Sequence, residues 1–228
     1  MYAIIDHRVS LEIKKNLEKY VEGIFEFSSN AITYNSISGH PDIFIFQDQN
    51  GLIIAPNAPK KLINFLDTIK AKYYFGNKNV DESLNNSVLY NCLTNNNYFF
   101  CKPNKPDLAI QQKHLDKTMV NLPQAYTRCS MFTIKDTVIT SDKGIIKELA
   151  KHKIESFYFE PSQIKIEDHK HGFIGGTMGI MDNKVFFLGN ILKHKNGNAL
   201  NKYITNLGKE VICLGTDYLY DGGSIFFV

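Results

Sequence analysis

Residues 129–142, CSMFTIKDTVITSD, followed by KGIIKELAKH (143–152) and ESFYF (155–159), decide how this chain is read. Two short apolar runs flank a Lys-Asp turn, an Asp closes the second run, and Ile145, Ile146 and Leu149 then recur at helical spacing. Apolar runs broken by turn residues predict a hairpin, and the three-and-four spacing after them predicts a helix that leads into a third strand. The same order appears in HPDIFIFQDQNGLIIAPN (40–57) with KKLINFLDTIK and KYYF, and in GTMGIMDNKVFFLGN (176–190) with ALNKYITNLG and EVICL. A more degenerate copy is NCLTNNNYFFCKPN (91–104) with LAIQQKHLDK and MVNL.

The Asx residues that close the second strands, Asn57, Asn104, Asp142 and Asn190, lie 47, 38 and 48 residues apart. A period of that length marks a repeat architecture. Each Asx is expected to accept N–H groups of the first helical turn. The chain ends supply a fifth unit: residues 2–5 read as a strand, then Asp6, a helix over 11–20 and a strand over 23–27, with the first strand missing. DGGSIFFV (221–228) is a lone strand that fits the gap and leaves no open sheet edge at the seam. The expectation is an α/β fold, a five-bladed ββαβ propeller closed by the pairing of the terminal strands, as one domain over 1–228.

Of the 228 residues 43% are hydrophobic and 21% charged, and the net charge is only +3, which suits a globular chain with a sizeable core. The charges are interspersed, so no nucleic-acid or membrane surface is indicated. Cys92, Cys101, Cys129 and Cys213 show no CxxC pairing, the N-terminus MYAIIDHRVS does not read as a signal peptide, and no run reaches the length of a membrane span. A reducing, cytoplasmic setting with free thiols is expected.

In a ring of such units the residues that enter the first strands converge on the axis. Counting 13 residues back from the Asx gives Asn91, Cys129, Thr177 and, across the seam, Asp221; the unit with the longer turn puts His40 at its entry. Asp42, two residues on, shares a side with His40 if the segment is extended. Gly175-Gly176 and Gly222-Gly223 permit close backbone approach near the same mouth. Singly, a Cys at a strand start is usually packed and inert, and a His before Pro-Asp is usually a turn residue. Together, a thiol, an imidazole and two carboxylates make Cys129, His40 and Asp42 the candidate catalytic set. Asp221, Asn91, Arg128, Gly176 and Ser224 are candidate substrate contacts. A neighbouring cation lowers a thiol pKa, and Arg128 is adjacent in sequence, although on a regular strand its side chain points away.

These residues resemble the pentein, or guanidine-modifying, superfamily, which comprises arginine deiminases, dimethylarginine hydrolases and amidinotransferases built as five-bladed α/β propellers. HPD (40–42) matches a His-x-Asp motif, Cys129 follows 89 residues later, and Asp221 precedes it across the seam. The resemblance implies that Cys129 attacks a guanidinium carbon, His40 shuttles protons and the acids hold the substrate nitrogens. This chain departs from the pattern near its end, where GGSIFFV carries Ser224 in place of a Cys. The segments RCS, ITSDKGI, GFIGG and DGGSI also resemble a small bacterial family without an assigned activity.

Three readings follow. The first is a Cys-dependent hydrolase or transferase acting on a guanidine-like or amidine-like small molecule, with no cofactor and no metal. The second is a non-catalytic small-ligand-binding or assembly protein that kept the mouth. The third is a metal site using Cys92, Cys101 and a nearby His, which lacks the paired ligand spacing that zinc requires. His169 and His171, in EDHKHG, read as a solvated loop. The sequence leaves the oligomeric state open.

Overall fold

The computed structural model describes residues 1–228. The elements run β1 (Tyr2–Asp6), α1 (Leu11–Leu17), β2 (Gly23–Phe27), β3 (Ile45–Asp48), β4 (Gly51–Ile54), α2 (Lys60–Thr68) and β5 (Tyr73–Phe75). They continue through β6 (Leu93–Thr94), β7 (Tyr98–Cys101), α3 (Leu108–Lys113), β8 (Thr118–Asn121) and the one-turn α4 (Thr127–Ser130). The remainder is β9 (Met131–Ile134), β10 (Thr137–Thr140), α5 (Lys143–Lys151), β11 (Ser156–Tyr158), β12 (Met178–Met181), β13 (Lys184–Phe187), α6 (Gly197–Asn206), β14 (Glu210–Cys213) and β15 (Phe226–Phe227).

The strands form five separate three-stranded sheets, none closed on itself. In four of them the first two strands pair antiparallel and the third lies parallel to the second across the helix between them. The β9–β10 and β12–β13 hairpins are tight, with Lys135 and Asp182 at positive φ, the geometry that matches a short turn to the strand twist. The fifth sheet joins the two ends of the chain: β1 pairs antiparallel with β15 (Ala3 opposite Phe227, Ile4 opposite Phe226) and parallel with β2. First strands of successive units touch, β3 against β6, β6 against β9 and β12 against β15.

The helices pack by the faces their spacing defines: α2 buries Leu62 and Leu66, α5 buries Ile145 and Leu149, and α6 buries Leu200 and Ile204. Burial of a leucine or isoleucine side chain contributes about 2 kcal/mol, so these short helices are held by packing more than by intrinsic propensity. The strand residues behind them, such as Ile53, Val138 and Phe187, have no exposed surface to speak of and belong to the same buried clusters.

Two local expectations are corrected. The first concerns the Asx caps. Of the four, only Asp142 caps an α-helix, accepting the N–H groups of Gly144 and Ile145 at 2.6 and 2.9 Å. Asn57 bonds the backbone of Val80 through both side-chain atoms, Asn104 sits at positive φ in a turn, and Asn190 caps a 3₁₀ turn. Pro59 and Asp107 precede α2 and α3 instead, because one or two further turn residues intervene. The second concerns strand entry. Cys129 does not begin β9; it lies within α4, and one-turn 3₁₀ helices, Pro41–Ile43 and Gly175–Thr177, likewise precede β3 and β12. Residues assumed extended are thus wound into turns just before the strands begin.

Candidate active site

Those turns build the site. In α4 the backbone winds, so Arg128 and Cys129 project in different directions, and both are buried. Asn91, just ahead of β6, locks this turn: its Oδ1 accepts the Arg128 N–H at 2.8 Å and the Cys129 N–H at 3.3 Å. Its Nδ2 reaches the Asp42 carbonyl and the Cys129 Sγ, each at 3.2 Å. The Cys129 thiol donates to Asp42 Oδ2 at 2.9 Å. His40, at the N-cap of the Pro41–Ile43 turn, completes the group: a ring nitrogen, a carboxylate oxygen of Asp42 and the Sγ lie within 4.8 Å of one another.

Cys129, His40 and Asp221 line a cavity of about 400 Å³. Its walls come from Tyr34, Ile37, Gln124 and Tyr126 on one side and from Ile166, the His169–Lys170–His171 run and Phe173 on the other. The Tyr34 and Tyr126 hydroxyls meet at 2.7 Å, and Tyr126 also meets Ser87 at 2.7 Å. The histidine loop is tied down by a His169 Nε2 contact to Ser36 Oγ at 3.0 Å and by an Asn35 bond to Asp168 at 2.6 Å. EDHKHG is a largely exposed loop, as read, and its His169–Lys170–His171 run also forms part of the cavity wall.

Asp221 is held by the N–H groups of Phe173 at 2.8 Å and Gly223 at 3.2 Å. Two glycines make room for this approach. A Cβ at Gly176 would stand 1.8 Å from Asp221 Oδ1, and a Cβ at Gly223, where φ is +67, would stand 2.4 Å from the His40 Cβ. Any side chain at either position displaces a candidate site residue.

The electrostatics follow from burial. Burial raises Asp42 to about 6, against the Cys129 hydrogen bond and the Arg128 charge that lower it. Burial likewise raises Asp221 to about 6, with the nearby His40 opposing. Burial lowers His40, with Asp221 and Asp6 acting the other way. Neither His40 ring nitrogen nor Asp42 Oδ1 has a hydrogen-bond partner in the protein. The Cys129 thiol is pushed well up by burial, then by Asp42 and Asp221, so the resting sulfur is a protonated donor.

Other candidates fall elsewhere. Asn91 is behind the sulfur and positions it, without lining the cavity. Gly176 contributes space for Asp221. Ser224 turns its hydroxyl onto the Gly175 carbonyl at 3.0 Å and is no part of the cavity wall. Arg128 faces a second cavity on the other side of α4. Thr177, the remaining equivalent entry residue, donates to the Ile174 carbonyl at 2.7 Å. Cys92 and Cys101 are buried in the apolar core beside Tyr90 and Phe99 and gather no third ligand. The group able to offer S, N and O donors to a metal is His40, Asp42 and Cys129.

The model of a family of unknown function, DUF6873, matches residues 4–226. The chain belongs to this family. A search of curated proteins gives no match. Among solved structures, a mutant of DDAH from Pseudomonas aeruginosa complexed with citrulline superposes with a TM-score of 0.55 at 7% identity, covering 97% of this chain and 92% of that one. C. jejuni agmatine deiminase gives 0.56 at 10% identity over 94% and 87% of the two chains. SxtG, an amidinotransferase from Microseira wollei in the saxitoxin biosynthetic pathway, gives 0.51 at 9% over 93% and 88%. At such identities the shared feature is the fold, which is that of the pentein superfamily named from the sequence. No helix is long and apolar enough to cross a membrane.

Proposed function

We propose that this family member is a Cys-dependent hydrolase or transferase acting on a guanidine-like or amidine-like small molecule. In this reading the five sheets form one propeller domain over 1–228, closed by the β1–β15 pair, with the site at one end of its axis. The single observation that carries it is the contact of Cys129 Sγ with Asp42 Oδ2 at 2.9 Å, with His40 beside them, at the wall of an acid- and aromatic-lined cavity.

The chemistry follows from charge. A guanidinium entering beside Asp221 and Asp42 favours their ionised forms and offers its face to Tyr34, Tyr126 and Phe173. Its positive charge also lowers the thiol pKa, and the thiol proton passes along the existing hydrogen bond to Asp42. The sulfur then bonds to the central carbon; the C–N bond to the leaving amine breaks, and Asp42 gives that amine the proton it took from the thiol. Water, deprotonated by His40, attacks the S-bound carbon, releases a urea-type product and restores the thiol; an acceptor amine in place of water gives transfer. His40 is suited to the role because burial keeps it neutral at pH 7, free to take a proton. Four free thiols fit a reducing, cytoplasmic setting.

The test is to incubate the protein with a panel of guanidino and amidino compounds and follow ammonia, amine and ureido products. Turnover that disappears in Cys129→Ala supports the reading; its absence across the panel, with the thiols intact, opposes it. One observation favours the second reading, a non-catalytic binder of the same cations: the resting thiol is held protonated. Saturable binding of a guanidine without turnover, equal in wild type and Cys129→Ala, would select it.

A further inference from the structure

A second cavity, of about 370 Å³, lies on the opposite side of α4 from the first. Gln47, Leu93, Thr133, Ile180 and Phe227 line it, one residue from each of β3, β6, β9, β12 and β15. It thus runs between the first strands of all five sheets, and Arg128 is in its wall.

Arg128 is only 5% exposed, and although it feels the charge of Asp42, no carboxylate comes within ion-pair distance of its guanidinium, and its buried Nε has no acceptor. The group in direct contact is the Phe226 ring, whose centroid is 4.2 Å from Cζ. Burial lowers Arg128 to about 10, so it stays charged at neutral pH. A buried guanidinium with an unmade fork of N–H donors is costly unless something supplies the acceptors, and a planar or tetrahedral oxyanion matches that fork bidentately. The lining leaves this charge uncancelled: Lys113 and Lys117 stand against Asp48 and Asp116, with Asp48 engaged by His114 at 3.2 Å and Lys113 at 3.5 Å, so Arg128 is the excess positive charge.

From this geometry we propose that the cavity between the five first strands is an oxyanion site, taking the carboxylate or phosphate group of a small molecule on the Arg128 guanidinium. The site is separate from the Cys129 cavity, although the consecutive residues Arg128 and Cys129 place the two on either side of one helical turn. It stands whether or not the protein turns over guanidines.

Isothermal titration of the full chain with inorganic phosphate, and separately with acetate, tests it in a buffer whose anion is too large for the cavity. One saturable site is expected with at least one of them, weakened tenfold or more in Arg128→Gln. Phosphate alone would assign a phosphorylated ligand, acetate alone a carboxylate, and both a generic oxyanion. Arg128→Gln removes a buried charge that makes no ion pair, and Asp42, which loses that counter-charge, can take up a proton, so the variant is expected to fold with a Tm close to that of the anion-free wild type. Arg128→Lys, which keeps the charge and loses the fork, should bind with intermediate affinity. No saturable heat with either anion, or binding unchanged in Arg128→Gln, overturns the proposal.

Discussion

Asp107 and Asp42 are both buried carboxylates, and the structure treats them in opposite ways. Asp107 is 1% exposed and is saturated: it caps α3 through the Ala109 N–H at 2.9 Å and accepts from the N–H groups of Asn77 and Lys78 at 3.0 and 2.9 Å. Asp42 is fully buried, shares one oxygen with the Cys129 thiol, leaves the other without a partner, and is pushed up to about 6. Backbone amides can hold a carboxylate charge indefinitely, whereas a thiol can hold or return a proton. The first arrangement serves folding. The second costs stability and is useful only if a ligand completes it.

The sharpest way to break this comparison is at the sulfur. Cys129→Ala should lower any guanidine turnover by ~10⁴-fold or more, as expected for a nucleophile, and leave the thermal transition nearly in place. Kinetics and calorimetry on one preparation measure both.

Asparagine substitutions come next. Asp107→Asn exchanges a charged acceptor of several amides for a weaker one and places an NH₂ against N–H donors, so it should destabilise by about 3 kcal/mol in denaturant titration. Asp42→Asn should be close to neutral or stabilising in the same titration, yet should slow Cys129 alkylation by an amidine. Equal losses of stability in the two variants would erase the distinction.

The pH profile offers a third test. Asp42 and Asp221 have folded pKa values above the unfolded value of about 3.8, so the native state binds more protons than the unfolded one between about pH 4 and 6. Stability therefore falls as pH rises through that window, by up to about 3 kcal/mol per carboxylate, and the Asp42→Asn/Asp221→Asn protein should be flatter there. Asp48, lowered to about 2 by its hydrogen bonds and Lys113, works the other way: its contribution is present above the unfolded value and lost as pH drops through about 2. A wild-type stability that rises steadily from pH 4 to 6 would contradict the raised values.

The smallest effect is expected at Asn91. Asn91→Ala frees α4 and the sulfur while removing no reacting group, so Cys129 alkylation should slow about tenfold, or about 1.4 kcal/mol. A rate unchanged in this variant would mean that α4 is held by packing alone.

How much of this was legible in the sequence depends on what the residues had to signal. The hairpins and helices were visible because their apolar faces must be buried at fixed periods, as Leu62 and Leu66 or Ile145 and Leu149 show. The pairing of the two chain ends was visible because each end read as half of a unit. The winding of the entry segments was not, since TRCS and GGT carry no periodicity and their turns are fixed by contacts such as Asn91 to the Arg128 N–H. That is why Arg128, expected as a substrate contact at the mouth, instead stands in the wall of the second cavity. The cavity walls were also missed: Tyr34, Tyr126 and Phe173 stand in irregular linkers, where the only hint was aromatic residues in otherwise polar stretches. Ser224 was singled out for its place in the final strand, and its positive φ and bond to Gly175 turn it inward.

The most direct test of the central claim is competitive labelling of the native protein with a limiting amount of chloroacetamidine, with the modified thiol mapped by mass spectrometry. The account predicts that Cys129 reacts ahead of Cys92, Cys101 and Cys213, and that the preference is lost in His40→Ala and suppressed by a guanidine that occupies the cavity. Slow labelling spread over the four thiols, unaffected by His40→Ala, would make Cys129 an ordinary buried residue and the claim untenable.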